Sequence, residues 1–338
     1  MTSYAIVGCF AAVLALTPLA MRLSWKIGAI DVPRDGRRMH TDTVPRAGGI
    51  AILTAFTAVM LLVGPRTRAV WAGLAGGLAV FCIGLADDVQ PLPPAARLAV
   101  QSLAAFVGSF GAGIRTPAGM LGAVLWLLAL TNAHNFIDGL DGLFAGTAAV
   151  EGIGIALVLF LLGQGDRALQ PLLLSAACAG FLRYNRPPAR VFAGDCGSGA
   201  VGFLLGVAAL PVFRASVWQL GLLSPLLIFA YPLTDLTAAV LRRAAAGKSL
   251  FAADRAHLHH RICAMGVSQP VAAATLCGIS AALGTCGVLL CRPDLALPAA
   301  LASGGAGLVL VLVRTALTHF ADRKRASRAL QARLEAKK

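Results

Sequence analysis

The sequence predicts an all-α polytopic membrane protein, and three observations carry that prediction. Of its 338 residues, 58% are hydrophobic, and the mean hydropathy is +0.77. Only 13% are Asp, Glu, Lys or Arg, about half the share of a soluble domain. Apolar runs of about 17–25 residues recur from end to end, each long enough to cross a hydrocarbon core of roughly 30 Å. The runs are continuous rather than alternating every second residue, which argues against a β-barrel.

Taken in order, about eleven spans are expected: 4–24, 47–63, 69–86, 97–113, 118–137, 142–162, 168–184, 198–213, 217–241, 270–291 and 294–317. Short polar turns separate them, such as "GPRTR" (64–68) and "GQGDR" (163–167). "CRPD" (291–294) splits the last two runs, because Arg292 and Pro293 read as a turn. The first run has no basic leader and no small-residue cleavage site, so it reads as a retained helix. No internal repeat and no second domain are visible. The expected organisation is one transmembrane domain over 1–318, with long loops 25–46, 87–96, 185–197 and 242–269, and a basic tail at 319–338.

The net charge of +14 invites a nucleic-acid reading, but the distribution of charge argues otherwise. Loops after the odd-numbered spans, with Arg97 and Arg183 flanking them and with the tail, hold 21 Lys and Arg, against 6 on the opposite side. Basic loops stay in the cytoplasm. The N-terminus is therefore expected outside, with the long loops and C-terminal tail inside. A basic tail beside anionic lipid explains the charge without a nucleic-acid partner. The eight cysteines are scattered, with no C-x-x-C pair, so neither a zinc site nor a disulfide framework is suggested.

Thirteen Asp against two Glu is an unusual balance. Glu is the better helix former, whereas Asp favours caps and turns. Several aspartates fall at the predicted cytoplasmic ends of spans. "GLADDVQPLPP" (84–94) closes the third span with Asp87 and Asp88. Adjacent like charges repel unless a cation lies between them. "NAHNFIDGLDGL" (132–143) closes the fifth, with Asn135, Asp138 and Asp141 at every third position. On one helix they would lie on adjoining faces, about 60° apart per step. Gly139 and Gly142 would admit a ligand close to the backbone. The plainer reading is a glycine-rich junction whose aspartates cap the sixth span.

"NRPPARVFAGDCGSG" (185–199) places Asp195 among glycines at a helix start, where amide N–H groups favour anions. Magnesium held by Asp195 would reconcile an acid with a phosphate there. "GKSLFAADRAHLHHRI" (247–262) holds three of the six histidines, with Arg255. A nucleotide P-loop is rejected, because position 242 is Arg where Gly is required. Zinc is disfavoured, because no further Cys or His stands at ligand spacing. His and Arg together suit a diphosphate. "DVPRDGRRMHTDTVPRAGGIAI" (31–52) offers His40 and Arg46 to phosphate or lipid headgroups, or serves only as an orienting basic loop. Glu151, deep in the sixth span, is either functional or paired with a polar group of another span.

Magnesium-type aspartates, phosphate-cradling glycines and a His/Arg cluster on one membrane face suit transfer between a soluble nucleotide diphosphate and a lipid phosphate. With these motifs in this order over about residues 30–262, the chain resembles the polyprenyl-phosphate N-acetylhexosamine-1-phosphate transferase family, glycosyltransferase family 4. The "DRAHLHH" form resembles the branch that uses undecaprenyl phosphate and UDP-GlcNAc, more than the branch that uses UDP-MurNAc-pentapeptide.

The resemblance implies ten or eleven transmembrane helices, often dimeric, in a bacterial inner membrane. It implies Mg²⁺, or Mn²⁺ in its place, near Asp195 and the Asn135 side-chain oxygen. Asp87 or Asp88 would be catalytic, deprotonating the lipid phosphate or attacking the donor directly. Asn135, Asp138, Asp141 and Asn185 would shape the nucleotide-sugar pocket, and Arg255, His257, His259 and His260 would hold the diphosphate or sugar. One departure stands out: the peptidoglycan branch has a lysine soon after its acidic pair, and here only Arg97 is available. The implied reaction releases UMP and begins a lipid-linked envelope glycan. A proton-coupled transporter is the rival class. Transporters place ionisable groups at the midplane and often show repeats, whereas here only Glu151 is deep and no repeat is seen.

Overall fold

The structure is a computed structural model that describes residues 2–32, 43–215, 222–249 and 256–292, with 294, 295 and 298. The described chain is almost entirely helical: α1 (Thr2–Ile27), α2 (Gly49–Val63), α3 (Arg68–Val89), α4 (Pro94–Gly111), α5 (Pro117–Ile137), α6 (Leu143–Leu161), α7 (Leu169–Asn185), α8 (Gly194–Ala215), α9 (Ser224–Ile228), α10 (Ala230–Ala245), α11 (Leu258–Ala264) and α12 (Gln269–Leu289). One feature was not expected from the sequence. Strands β1 (Ile30–Asp31) and β2 (Val44–Pro45) pair antiparallel between α1 and α2.

Local chemistry sets the helix starts. Thr67 and Thr116 accept backbone N–H bonds from Val70 and Gly119, and Pro117 follows at the first helical position. Pro94 opens α4 in the same way. Six described helices, α1, α3, α5, α6, α8 and α12, are long and apolar enough to cross a membrane, and α2 is a shorter apolar helix. The expected runs 97–113 and 168–184 form α4 and α7. The expected run 217–241 is two helices where it is described, α9 and α10, meeting at Phe229. Pro232 lacks the N–H that would bond the Ile228 carbonyl, which removes a ladder bond at this junction. The expected span 294–317 lies almost wholly outside the described residues.

Helix α8 is the axis of the bundle and is almost wholly buried. Helices α3 and α5 pack along it, with α2 and α6 beside them. Glycines at 197, 199, 202 and 206 along α8 permit this close approach. Large apolar side chains such as Leu62, Leu78, Leu103 and Leu121 point outward. An exposed apolar surface of this kind belongs against lipid. The helices alternate in direction, so the C-terminal ends of α1, α3, α5 and α7 gather with the N-terminal ends of α2, α4, α6 and α8.

Candidate active site

That gathering end of the bundle holds most of the acids singled out above. Asp88, in the last turn of α3, is buried and reaches across to the start of α8. Its Oδ1 accepts the Asp195 N–H at 2.9 Å, and its Oδ2 accepts the Cys196 N–H at 3.0 Å. It thereby satisfies two of the unpaired donors at a helix N-terminus, where a carboxylate is electrostatically favoured. Gly194, just before, has φ +75°, and a Cβ there would collide with the Arg46 carbonyl oxygen.

Two arginines lace the acids together. Arg46 Nη2 lies 2.8 Å from Asp88 Oδ1 and 3.1 Å from Asp195 Oδ1. Burial alone would lower the Arg46 pKa, but the Asp88 and Asp195 carboxylates outweigh it and raise it. Arg97 Nη1 lies 2.6 Å from both Asp87 Oδ2 and Asp195 Oδ2. Asp87 Oδ1 also accepts the Leu92 N–H at 2.7 Å.

The "NFIDGLDGL" segment is not one helix. Asn135 is in α5, Asp138 is its C-cap, and Gly142, at φ +76°, precedes α6. The N-cap residue of α6 is Gly142, which has no side chain to cap with. Asp138 Oδ2 accepts the Gly194 N–H at 3.1 Å, and Asp141 Oδ2 accepts the Ala189 N–H at 2.8 Å. Asn185 closes the same seam: its Oδ1 accepts the Gly142 N–H at 3.1 Å, and its Nδ2 donates to the Val191 carbonyl at 2.9 Å. Burial, then the nearby Asp195 and Asp88 carboxylates, holds the Asp138 carboxyl well above its usual range. The two glycines expected to admit a ligand differ in role. Gly139 faces the His259 ring, while Gly142 makes the turn.

A cleft of about 400 Å³ opens beside this cluster, lined by Arg46, Asn135, Asp138, Asp141, Asp195 and the three histidines of "HLHH". His257 Nδ1 lies 2.7 Å from Asp235 Oδ2, and Asp235 Oδ1 accepts the Leu258 N–H at 2.9 Å. Asp235, inside the expected span 217–241, orients His257 here. The His257 and His259 rings lie nearly parallel, with centroids 5.7 Å apart. His259 is fully buried, and neither ring nitrogen has a hydrogen-bond partner among the described residues. Burial, reinforced by His260, pushes its pKa down to about 3, so it is neutral at pH 7. Asp31, Phe136 and Phe192 also line the cleft; each lies inside one of the motifs above, but residue type alone marks none of them. Arg255 and His40 lie outside the described residues.

Of the residues singled out, the structure thus brings Asp87, Asp88, Asn135, Asp138, Asp141, Asn185 and Asp195 to one seam, with His257, His259 and His260 across the cleft. Asp195, Asp87 and the Asn135 side-chain oxygen offer only hard oxygen donors. Among the described residues, no three His, Cys, Asp or Glu side chains form a metal cage. This donor set fits magnesium, which takes one or two carboxylates and completes its shell with phosphate oxygens and water.

A membrane-spanning helical bundle with acids, arginines and histidines gathered at one end defines a class: integral-membrane proteins built to handle charged, phosphate-bearing groups at the lipid surface. Within that class the chain belongs to glycosyl transferase family 4, whose model matches residues 70–212. That stretch runs from α3 to α8 and contains every acid of the seam. The chain is 33% identical over 314 residues to the decaprenyl-phosphate N-acetylglucosaminephosphotransferase of Mycobacterium tuberculosis, covering 78% of this chain and 77% of that one. It is 34% identical to the phospho-N-acetylmuramoyl-pentapeptide-transferase of a Synechococcus, covering 80% and 87%. It is 28% identical to the undecaprenyl-phosphate alpha-N-acetylglucosaminyl 1-phosphate transferase of Escherichia coli, covering 80% and 78%.

Proposed function

We propose that this protein transfers N-acetylhexosamine-1-phosphate, GlcNAc-1-phosphate first, from its UDP-sugar to undecaprenyl phosphate and releases UMP. The observation that carries this reading is the seam of Asp87, Asp88, Asp138 and Asp195, laced by Arg46 and Arg97 and opening onto a histidine-lined cleft. It lies in a family member whose relatives carry the names of polyprenyl-phosphate aminosugar phosphotransferases. The "DRAHLHH" form favours GlcNAc over the muramoyl-pentapeptide substrate. The acidic end faces the cytoplasm, where the nucleotide sugar is; the basic-residue asymmetry supports this orientation. The molecule sits in the inner membrane with its N-terminus outside, and its relatives' family carries the expectation of a homodimer.

In the proposed reaction an oxygen of the lipid phosphate forms a bond to the sugar-bearing phosphorus, and the bond from that phosphorus to the bridging oxygen of UMP breaks. Asp88 is a poor nucleophile, because both its oxygens already accept backbone N–H bonds. The geometry therefore favours direct attack by the lipid phosphate, with Asp87 beside it to take a proton. That phosphate is largely ionised near neutral pH, so proton removal contributes little. Arg46 and Arg97 neutralise phosphate charge, and neutral His259 offers a ring nitrogen to the diphosphate or sugar. Asp195 and Asn135 would hold magnesium, which when bound supplies charge neutralisation at the diphosphate and the departing UMP.

A panel of UDP-sugars, supplied with undecaprenyl phosphate to detergent-purified protein, tests this directly. UDP-GlcNAc is expected to give a labelled lipid product that is abolished by chelation and restored by Mg²⁺ or Mn²⁺. Product from another UDP-N-acetylhexosamine alone would overturn the sugar assignment, and activity unaffected by chelation would overturn the metal.

A further inference from the structure

One layer deeper than the acidic seam lies a second polar centre. His134 of α5 and Glu151 of α6 are both fully buried, and His134 Nε2 lies 2.7 Å from Glu151 Oε2. His134 Nδ1 lies 2.9 Å from the Leu130 carbonyl oxygen. A carbonyl only accepts, so Nδ1 carries a hydrogen. The bond to Glu151 needs one more, on Nε2 or on the carboxyl. Either way the pair is neutral overall: imidazolium with carboxylate, or imidazole with carboxylic acid. Glu151 Oε1 has no partner among the described residues, so His134 is what holds this carboxyl.

Burying such a pair is costly, and apolar replacements of similar size are often as stable. Its location suggests a purpose other than stability. His134 directly precedes Asn135 and lies one turn before Asp138. A Cβ added at Gly202 of α8 would lie 2.8 Å from His134 Cγ and Nδ1, so the α8 backbone rests against the ring, about two turns from Asp195. One turn nearer the seam, Asn135 Nδ2 lies 3.4 Å from Ser198 Oγ. The Phe144 and Phe229 rings meet the imidazole edge-on, at 6.3 and 6.1 Å. One side chain thus touches α6, α8 and the α9–α10 junction while sitting next to a site residue.

We infer that His134 and Glu151 are a positioning pair: their hydrogen bond fixes α5 against α6 and α8, so that Asn135, Asp138 and Asp195 converge on one phosphate. The inference rests on the transferase reading for its activity test, but not for its test of geometry. Glu151→Gln retains both bonds, because neutral His134 keeps Nδ1–H on Leu130 and accepts at Nε2 from the Gln amide. Glu151→Leu removes the bond.

In the UMP-release assay, E151Q is expected within about threefold of wild type in kcat. E151L is expected to lose at least about tenfold in kcat with the UDP-GlcNAc KM within about twofold and no fall in apparent Tm, since small misplacements of reacting groups cost that much. Should E151L yield no folded protein, E151M takes its place. Wild-type kcat in E151L, or an E151Q defect as large as that of E151L, would overturn the proposal.

A second readout needs no turnover. The N135C/S198C pair, in a chain with its eight native cysteines replaced by alanine, is cross-linked by copper phenanthroline. E151Q should leave the yield unchanged and E151L should lower it at least about threefold, and equal yields would overturn the proposal. Absence of UMP from wild type would overturn the transferase reading alone.

Discussion

Each acid of the seam is held by donors, and that determines what its loss should do. Asp88 is held by three donors: it anchors the first turn of α8 and the Arg46 guanidinium. Asp195 takes both arginines. Asp88→Asn and Asp195→Asn are each expected to lower kcat about a hundredfold or more, the scale of losing one fixed electrostatic group. Full activity in both variants would place the site elsewhere. His259 gives a separate prediction, about stability. Its folded pKa of about 3 lies below the ordinary histidine value of 6.5. Above pH 6.5 both states are neutral; below it the unfolded chain binds a proton that the folded chain refuses, so stability falls from there down toward pH 3. His259→Gln should flatten the fall in apparent Tm on acidification in that window, and an unchanged slope would show that His259 is not buried neutral. The sequence made these residues visible, because acids at apolar run ends and clustered histidines are rare. It could not show their partners. Asp88 meets Asp195 across 107 residues of chain, and no local pattern encodes such a contact.

At the scale of elements, the seam is made of junctions rather than helices. The loop from 185 to 194 is tied to the α5–α6 turn by Asn185, Asp138 and Asp141. The expected spans 118–137 and 142–162 leave residues 138–141 between them, and the structure breaks the helix there too. Gly142 supplies the left-handed turn before α6, and Asp138 and Asp141 bond amides of another segment. Gly194→Ala tests this junction, since its φ is positive and its Cβ would strike the Arg46 carbonyl. The variant should lose more than ~1 kcal/mol, read as a lower apparent Tm together with lost transfer, and a wild-type Tm would contradict the turn. Asp235→Asn tests the other wall of the cleft. It keeps the Leu258 bond but removes the carboxylate that orients His257, and kcat/KM should fall about tenfold. The break between α9 and α10 was illegible as a hydropathy run, because Pro232 is apolar. Its missing N–H matters more than its side chain.

At the scale of the whole molecule, hydropathy was the readable signal. It supplied the membrane class and most of the helices, because crossing lipid demands long apolar helices whatever their partners. Which helix forms the axis was not readable: α8 is no more apolar than its neighbours, and only its glycine spacing hints at close packing. Site-directed labelling can test the orientation in intact cells. Single cysteines in the 64–68 turn should react with a membrane-impermeant reagent from outside, and those in the 185–194 loop should not; the reverse pattern would invert the assignment. The central claim is that the acidic end joins a nucleotide sugar to a lipid phosphate. The most direct test is UMP release by detergent-purified protein given UDP-GlcNAc, undecaprenyl phosphate and Mg²⁺. The expected result is UMP and lipid-linked GlcNAc in equal amounts, lost when either the lipid phosphate or Mg²⁺ is withheld. No UMP with any UDP-N-acetylhexosamine, from protein that is folded and saturated with both substrates, would contradict it.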